Sequence, residues 1–240
     1  MKKLYINAIL FIAAISLSVL SSCRFGCVKG SGHQVTKSDR VTDFTRLDIS
    51  GSFKVNLKQD SSLNVSITAD DNLMKYIHAS LDGDRLRIYS KKNLCGSGEM
   101  IINIGVKNLT EIKAAGGINL VTDGKLTTKD LKFELNGASK VDMDLNADNV
   151  ITEGHGSTDM NLRGQAASHK IEFAGSGKIN ALDFVVGSYD IETTGASDCN
   201  INVLNELNVN TTGAADIKYK GNPSKVNTSK MGAATVTKIN

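Results

Sequence analysis

A glycine recurs at intervals of 18 to 21 residues through the second half of this chain, and this repeat limits the possible folds more than any other feature. One or two small residues, a polar residue and an apolar residue follow each glycine, and apolar residues or threonine alternate with others before it. Alternation on both sides of a glycine is typical of two short strands joined by a bend. The repeated glycines are Gly116, Gly137, Gly156, Gly175, Gly195, Gly213 and Gly232.

The length of the repeat predicts how the units pack. One unit cannot enclose a core alone, whereas stacked units can, with neighbouring coils about 4.8 Å apart. We therefore predict an all-β protein with a parallel, right-handed β-helix or solenoid of ~19-residue coils over residues 111–240. An antiparallel sandwich is the alternative, because short strands at regular spacing also build sandwiches. The in-register glycine column favours the solenoid.

The segment before the repeats, residues 41–110, is predicted to be a β-rich cap. Residues 47–57, LDISGSFKVNL, follow the same template around a glycine and are expected to form an initial coil. In residues 70–81, Leu73, Ile77 and Leu81 have the spacing of a short helix opened by an Asp/Asn cap. We expect this cap, with its one helix, to cover one end of the solenoid.

The N-terminus has the pattern of an export signal. Two lysines precede an apolar stretch that ends in Leu-Ser-Ser-Cys, the order of a bacterial lipobox. Residues 1–22 are predicted to be removed, Cys23 to carry lipid, and residues 23–40 to form a flexible tether. An ordinary signal followed by an incidental cysteine is the alternative. The protein is then lipid-anchored to the outer membrane, and the absence of an acidic run after Cys23 favours the periplasmic face over the cell surface.

Three cysteines remain after the lipobox. Cys27 and Cys95 lie in turn-like segments and could form a disulfide in an oxidising compartment, but sequence does not fix their Cα separation. Cys199 occupies the apolar column of the repeat, with Val141 and Ile179 among others. It is predicted to point inward as a small hydrophobe with little thiolate character.

The polar column supports two interpretations. Lys140, Asp159, Lys178 and Asp198 alternate in charge at successive coils and are expected to form a ladder that favours correct register. Alternatively, Asp159, Lys178, Asp198 and Asp216 are an exposed binding face or the acid and base groups of a polysaccharide lyase or hydrolase. Two positions further on, stacked asparagines at 161, 180 and 200 predict an amide ladder.

Other chemistry has little support in the sequence. The four histidines lack metal-ligand spacing, and His155, between two glycines, is expected in an exposed turn. The glycines do not form a phosphate loop, because no Gly-Lys-Ser/Thr follows. After removal of the signal, 26 basic and 25 acidic residues give a net charge of +1. We therefore predict no metal, no cofactor and no nucleic-acid partner.

The order of elements resembles a known family. FTRLDISGSFKVNLKQ, VSITADDNLMKYI, LDGDRLRIYS and IINIGVKNLTEIKAAGGINL precede the glycine-paced coils, and the last contains a literal Gly-Ile-Asn. Over residues 43–220 the chain is similar to the bacterial family described as putative auto-transporter adhesin, head GIN domain. The resemblance implies a β-helix-like exported protein, commonly a lipoprotein, without an established activity.

These patterns together predict a non-catalytic envelope protein. We expect an adhesin-like binding protein or structural scaffold that uses a face or an end of the solenoid, and a carbohydrate-active enzyme is the alternative. The expected partners are the membrane through the N-terminal lipid, a glycan or envelope protein, and a second copy at the solenoid end near TVTKIN.

Overall fold

The computed structural model describes residues 26–240. The predicted signal peptide and Cys23 lie outside these residues. The described chain is all-β, apart from one 3-10 helix at Met74–Tyr76. The strands are β1 (Val28–Lys29), β2 (Gln34–Arg40), β3 (Arg46–Gln59), β4 (Asn64–Asp70), β5 (Ile77–Asp82), β6 (Arg85–Ser90), β7 (Leu94–Cys95), β8 (Ile101–Val106), β9 (Glu111–Thr127), β10 (Asp130–Lys220) and β11 (Lys225–Lys238).

The long strands pair in parallel with glycine on glycine. Gly51 of β3 is the partner of Gly116 in β9, which is the partner of Gly137 in β10, and near the other end Gly213 of β10 is the partner of Gly232 in β11. Within β10, the same column continues, since each repeated glycine lies against the backbone of the one before it. Residues 47–57 therefore join the repeat in register, as predicted.

The glycine column has a steric cause. Each repeated glycine has a positive φ, between 99° and 127°, a region that side-chain-bearing residues rarely adopt. A Cβ at Gly195 would also collide with the carbonyl oxygen of Gly175 in the neighbouring segment. Glycine therefore serves both the local bend and the close approach of successive segments.

The core lies between the two arms of each bend. Along β10 the apolar column after the glycine is buried, including Val141, Met160, Ile179 and Cys199. The position of Cys199 confirms the prediction from its column. Buried apolar side chains extend from Phe44 to Ile217, so one continuous core joins the cap and the repeats.

The cap contains antiparallel pairs absent from the repeat pattern. β4 pairs antiparallel with both β2 and β8, while β8 pairs in parallel with β3. β5 and β6 form an antiparallel hairpin, and β6 pairs in parallel with β3. The cap therefore widens one end of the stack with strands of mixed direction.

The helix predicted over residues 70–81 is wrong except at its centre. Ile77–Asp82 is strand β5, because antiparallel pairing with β6 outweighs the helical spacing of the apolar residues. Ile77 is buried, whereas Leu81 is 36% exposed. No side chain caps the 3-10 helix; Asp70 instead accepts hydrogen bonds from Ser97.

The flexible tether predicted over residues 23–40 is also wrong from Val28 onward, where Val28–Lys29 forms β1 and pairs with β7. Gln34–Arg40 forms β2, whose seven residues pair with Asn64–Asp70 of β4. Most side chains of β2 are exposed, so the backbone ladder rather than apolar burial holds this strand. None of the helices in residues 26–240 has the length and apolar character needed to cross a bilayer.

Candidate functional site

A shallow groove of about 610 Å³ runs across the last four repeats. The residue after each repeated glycine points outward and is small, so that the stacked repeats leave a depression in the surface. Alanines form its apolar floor, and lysine, aspartate and threonine stand at its side. The lining residues are Ser176, Gly177, Lys178, Ala196, Ser197, Asp198, Ala214, Ala215, Asp216, Ala233 and Thr235.

The groove brings together three of the four predicted face residues. Lys178, Asp198 and Asp216 line it, while Asp159 belongs to the preceding repeat and does not. His155 lies in the same repeat as Asp159 and is exposed, as predicted. The charged column could be predicted from the sequence, whereas the groove was missed. Its signal was the alanine or serine that directly follows the repeated glycine in each of the last four repeats.

Hydrogen bonds fix the acidic side of the groove. The Asp216 carboxylate accepts hydrogen bonds from Lys218 Nζ at 2.7 Å and Thr235 Oγ1 at 2.6 Å. These contacts, first that of Lys218, hold the pKa of Asp216 below its usual value. Asp198 accepts a hydrogen bond from Asn200 at 3.2 Å. The groove therefore presents oriented acceptors.

The alternating charge ladder predicted at Lys140, Asp159, Lys178 and Asp198 does not form ion pairs in the described part of the chain. Asp198 and Asp216 instead accept hydrogen bonds from side chains two residues away on their own strand, and Asp216 also accepts one from Thr235 of the next repeat. Ion pairs between repeats occur in another column, where Lys113 contacts Glu134 at 2.6 Å. Lys178 consequently has no ion-pair partner among the described residues.

The predicted asparagine ladder is confirmed. Asn180 Nδ2 donates to Asn161 Oδ1 at 2.9 Å, and Asn200 Nδ2 donates to Asn180 Oδ1 at 3.4 Å. A second amide pair, Asn227 to Asn208 at 2.7 Å, follows the same spacing and was missed. These amides tie neighbouring repeats together along the outside of the stack.

A buried polar cluster inside the stack was also missed. His169 Nε2 lies 2.9 Å from Thr152 Oγ1, and its ring packs against Tyr189 at 5.4 Å between centroids. Burial lowers the pKa of His169 to about 3 and raises that of Cys199 to about 12. All four side chains are at most 1% exposed, so the cluster packs the core and does not meet a solute.

A disulfide connects the start of the described chain to the cap. Cys27 and Cys95 are bonded, with their Cα atoms 5.7 Å apart. Beside them, β1 and β7 pair in parallel, and the Asp70 carboxylate accepts hydrogen bonds from the Gly32 amide and from Ser97. These bonds, chiefly those from Ser97, lower the pKa of Asp70. Segment 27–33 is therefore held against the cap at several points.

Metal-ligating side chains do not cluster in the described part of the chain. Across residues 26–240, no group of three or more histidine, cysteine, aspartate or glutamate side chains could hold a metal ion.

Solved structures of similar fold include proteins from three bacterial species. A putative adhesin from Bacteroides fragilis superposes with a TM-score of 0.81 at 23% identity, covering 88% of this chain and all of that one. A putative adhesin from Parabacteroides merdae has a TM-score of 0.69 at 24% identity, covering 89% of this chain and 99% of its own. A putative lipid binding protein from Parabacteroides distasonis has the same TM-score at 20% identity, with the same coverage.

The family assignment rests on the sequence. Curated proteins provide no match to this chain. The pattern of one family matches residues 43–223, which is most of the chain and includes β3 to β9 and all of β10. The protein therefore belongs to the family described as "Putative auto-transporter adhesin, head GIN domain".

Proposed function

We propose that this protein is a lipid-anchored envelope protein that binds a glycan, without catalysis, in the groove over its last four repeats. Membership of an adhesin family suggests a non-catalytic, adhesin-like role and an exported or envelope location. The observation that carries the finer proposal is the groove itself, about 610 Å³ with an alanine floor and fixed polar groups. Its volume is typical of small-molecule sites.

The scaffold of this proposal is a parallel, right-handed solenoid of ~19-residue coils. Its support is the register between β9, β10 and β11, in which partner residues lie 19 or 21 positions apart. The stacked glycines and the asparagine ladder repeat at the same interval. Parallel connections are right-handed in nearly all proteins.

The polar groups of the groove suit a sugar. The carboxylates of Asp198 and Asp216 accept hydrogen bonds from hydroxyl groups, and the Lys178 ammonium donates to hydroxyl, carboxylate or sulfate oxygens. The groove is open along the stack, so an extended chain of sugar units can lie over several repeats. An envelope protein with a polar loop is the other occupant that the test below distinguishes.

Catalysis is not favoured by the electrostatics. A glycoside hydrolase keeps one carboxyl group protonated as a general acid. Lys218 and Thr235 instead hold Asp216 ionised by lowering its pKa. The carbohydrate-active alternative therefore lacks support from this carboxyl group.

The anchor in this proposal is lipid on Cys23, in the outer membrane with the periplasmic face preferred. Its support is the Leu-Ser-Ser-Cys order after the apolar stretch. Mass spectrometry of the N-terminal peptide tests the lipid, and protease treatment of intact cells tests the side of the membrane. Removal of the body by protease from intact cells would place it on the cell surface.

A glycan panel tests the binding function. Ala214→Trp fills the groove with an indole, whereas Ala138→Trp adds the same side chain at the corresponding exposed position of an earlier repeat outside the groove. We expect the wild type and Ala138→Trp to bind the same glycans and Ala214→Trp to lose at least about tenfold in affinity. Equal binding by all three, or binding only to envelope proteins, contradicts a glycan groove.

A further inference from the structure

Four lysines lie in the segments linked to the disulfide at the start of the described chain. Lys29 lies in β1, Lys91 and Lys92 follow β6, and Lys75 lies in the 3-10 helix. All four side chains are exposed. We call them the anchor-proximal lysines.

Backbone contacts place these lysines together. Lys29 is the register partner of Cys95, and the Val28 amide donates to the carbonyl of Asn93, next to Lys92. The Lys91 amide donates to the carbonyl of Tyr76, next to Lys75. A continuous set of neighbours therefore runs from Lys75 through β7 to Lys29.

None of these four lysines forms an ion pair with a neighbouring carboxylate within residues 26–240. In the part of the chain that the structure describes, no carboxylate lies within 4.0 Å of any of the four ammonium groups. The nearby carboxylates have other partners. Asp70 is buried and accepts hydrogen bonds from Ser97, Asp71 contacts Ser31 and His33, and Glu99 contacts Lys54.

The disulfide limits the distance between this group and the proposed lipid. Cys27 follows Cys23 by four residues, which span at most about 14 Å when fully extended. Electrostatic attraction to a charged surface is effective over about 8–10 Å at physiological salt. With lipid on Cys23, the folded domain would be held close to the membrane surface. The anchor-proximal lysines would then lie within or near this screening distance.

We propose that the anchor-proximal lysines form a membrane-facing surface that binds the headgroups of acidic phospholipids. The proposal rests on the proposed lipid attachment of Cys23. Lysine side chains attract an anionic lipid surface without requiring a shaped pocket. The lipid and this second contact together orient the stack, so that the groove at its other end points away from the membrane.

Vesicle binding tests this surface with a chain that begins at residue 24. Every buried apolar side chain of the described structure lies between Phe44 and Ile217, so this chain keeps the whole core and the disulfide. The probes are vesicles of equal parts phosphatidylglycerol and phosphatidylcholine, and vesicles of phosphatidylcholine alone. The test variant changes the four anchor-proximal lysines to glutamine. The matched control changes four other exposed, unpaired lysines, namely Lys129, Lys140, Lys220 and Lys230.

The expected result is binding of the wild type to acidic vesicles only. The test variant should lose at least about tenfold in partition coefficient, and the control less than about twofold. Equal losses in both variants would mean attraction by total charge and would overturn the proposal. So would an absence of wild-type binding, or binding abolished by inorganic phosphate at matched ionic strength. Failure of acylation would appear separately, as missing lipid mass on Cys23, and would leave vesicle partition unchanged.

Discussion

The two ends of the molecule are built differently. The N-terminal end combines parallel and antiparallel strands, a disulfide and large buried side chains such as Phe44, Leu47 and Ile102. The last strand, β11, contains no buried residue, and its Met231 is 70% exposed. Each repeat is stabilised mainly by its neighbours. Stability should therefore be highest beside the cap and fall toward β11.

The sharpest test of this gradient places one substitution at both ends. Gly116 and Gly232 have φ values of 103° and 108°, and a Cβ on either collides with the carbonyl oxygen of the preceding glycine. Gly116→Ala should lower the free energy of unfolding by about 4 kcal/mol. The strained backbone and the collision of the added Cβ both lie in β9, which contributes buried side chains to the core. Gly232→Ala should cost about 1 kcal/mol or less, because β11 can separate while exposing little apolar surface. Urea unfolding measures both.

Gly83→Ala is the control for this pair. Gly83 also has a positive φ, 61°, but a Cβ added there would meet no other atom within 4 Å. Its cost, about 1 kcal/mol, should therefore report the backbone strain alone. Equal losses of unfolding free energy for Gly116→Ala and Gly232→Ala would show that the repeats unfold as one unit, and would contradict the predicted stability gradient.

The disulfide should account for the next largest difference between the ends. It closes a sequence separation of 68 residues, and replacing both Cys27 and Cys95 by serine should destabilise the cap by about 3 kcal/mol. Hydrogen exchange should quicken in β2 and β4 and stay unchanged in the last repeats.

Thiol labelling supplies the control. In the reduced native protein, Cys27 and Cys95 should react, while Cys199, which is 0% exposed, should not. Rapid labelling of Cys199 would contradict the register.

The dry interior of the repeats predicts a loss of stability in acid. Burial lowers the pKa of His169 from 6.5 to about 3, so the unfolded chain takes up this proton first. The contribution of neutral His169 is fully present above pH 6.5 and is lost as the pH falls toward 3. At about pH 5 the loss should reach about 2 kcal/mol. His169→Leu should remove it and His155→Leu should not, as measured by urea unfolding across pH. An unchanged pH profile in His169→Leu would mean that water reaches this core.

Local requirements explain which parts of the fold were predictable. The glycine column could be predicted because positive φ and close stacking act on each residue separately. The spacing of Ile77 and Leu81 fits a helix, but pairing of β5 with β6 decided the outcome, and that partner is not encoded locally. The charge ladder failed for a similar reason. Spacing places Asp198 beside Lys178 of the preceding repeat, but it does not say whether the side chain turns toward a neighbour on its own strand, as Asp198 does with Asn200.

The exposed edge of β11 predicts the smallest effect, a weak self-association. Within the described residues β11 pairs on one side only, which favours addition of another strand. Lys225 pairs with Glu206, but Lys230 and Lys238 form no ion pair within the described residues. Two copies therefore repel through these two lysines, and association should strengthen as salt screens the charges. Met231→Lys should abolish it, whereas Leu204→Lys, at another exposed apolar side chain, should not. Sedimentation at rising protein concentration measures the mass, and a single-chain mass at every salt concentration would show that the lysines alone protect this edge.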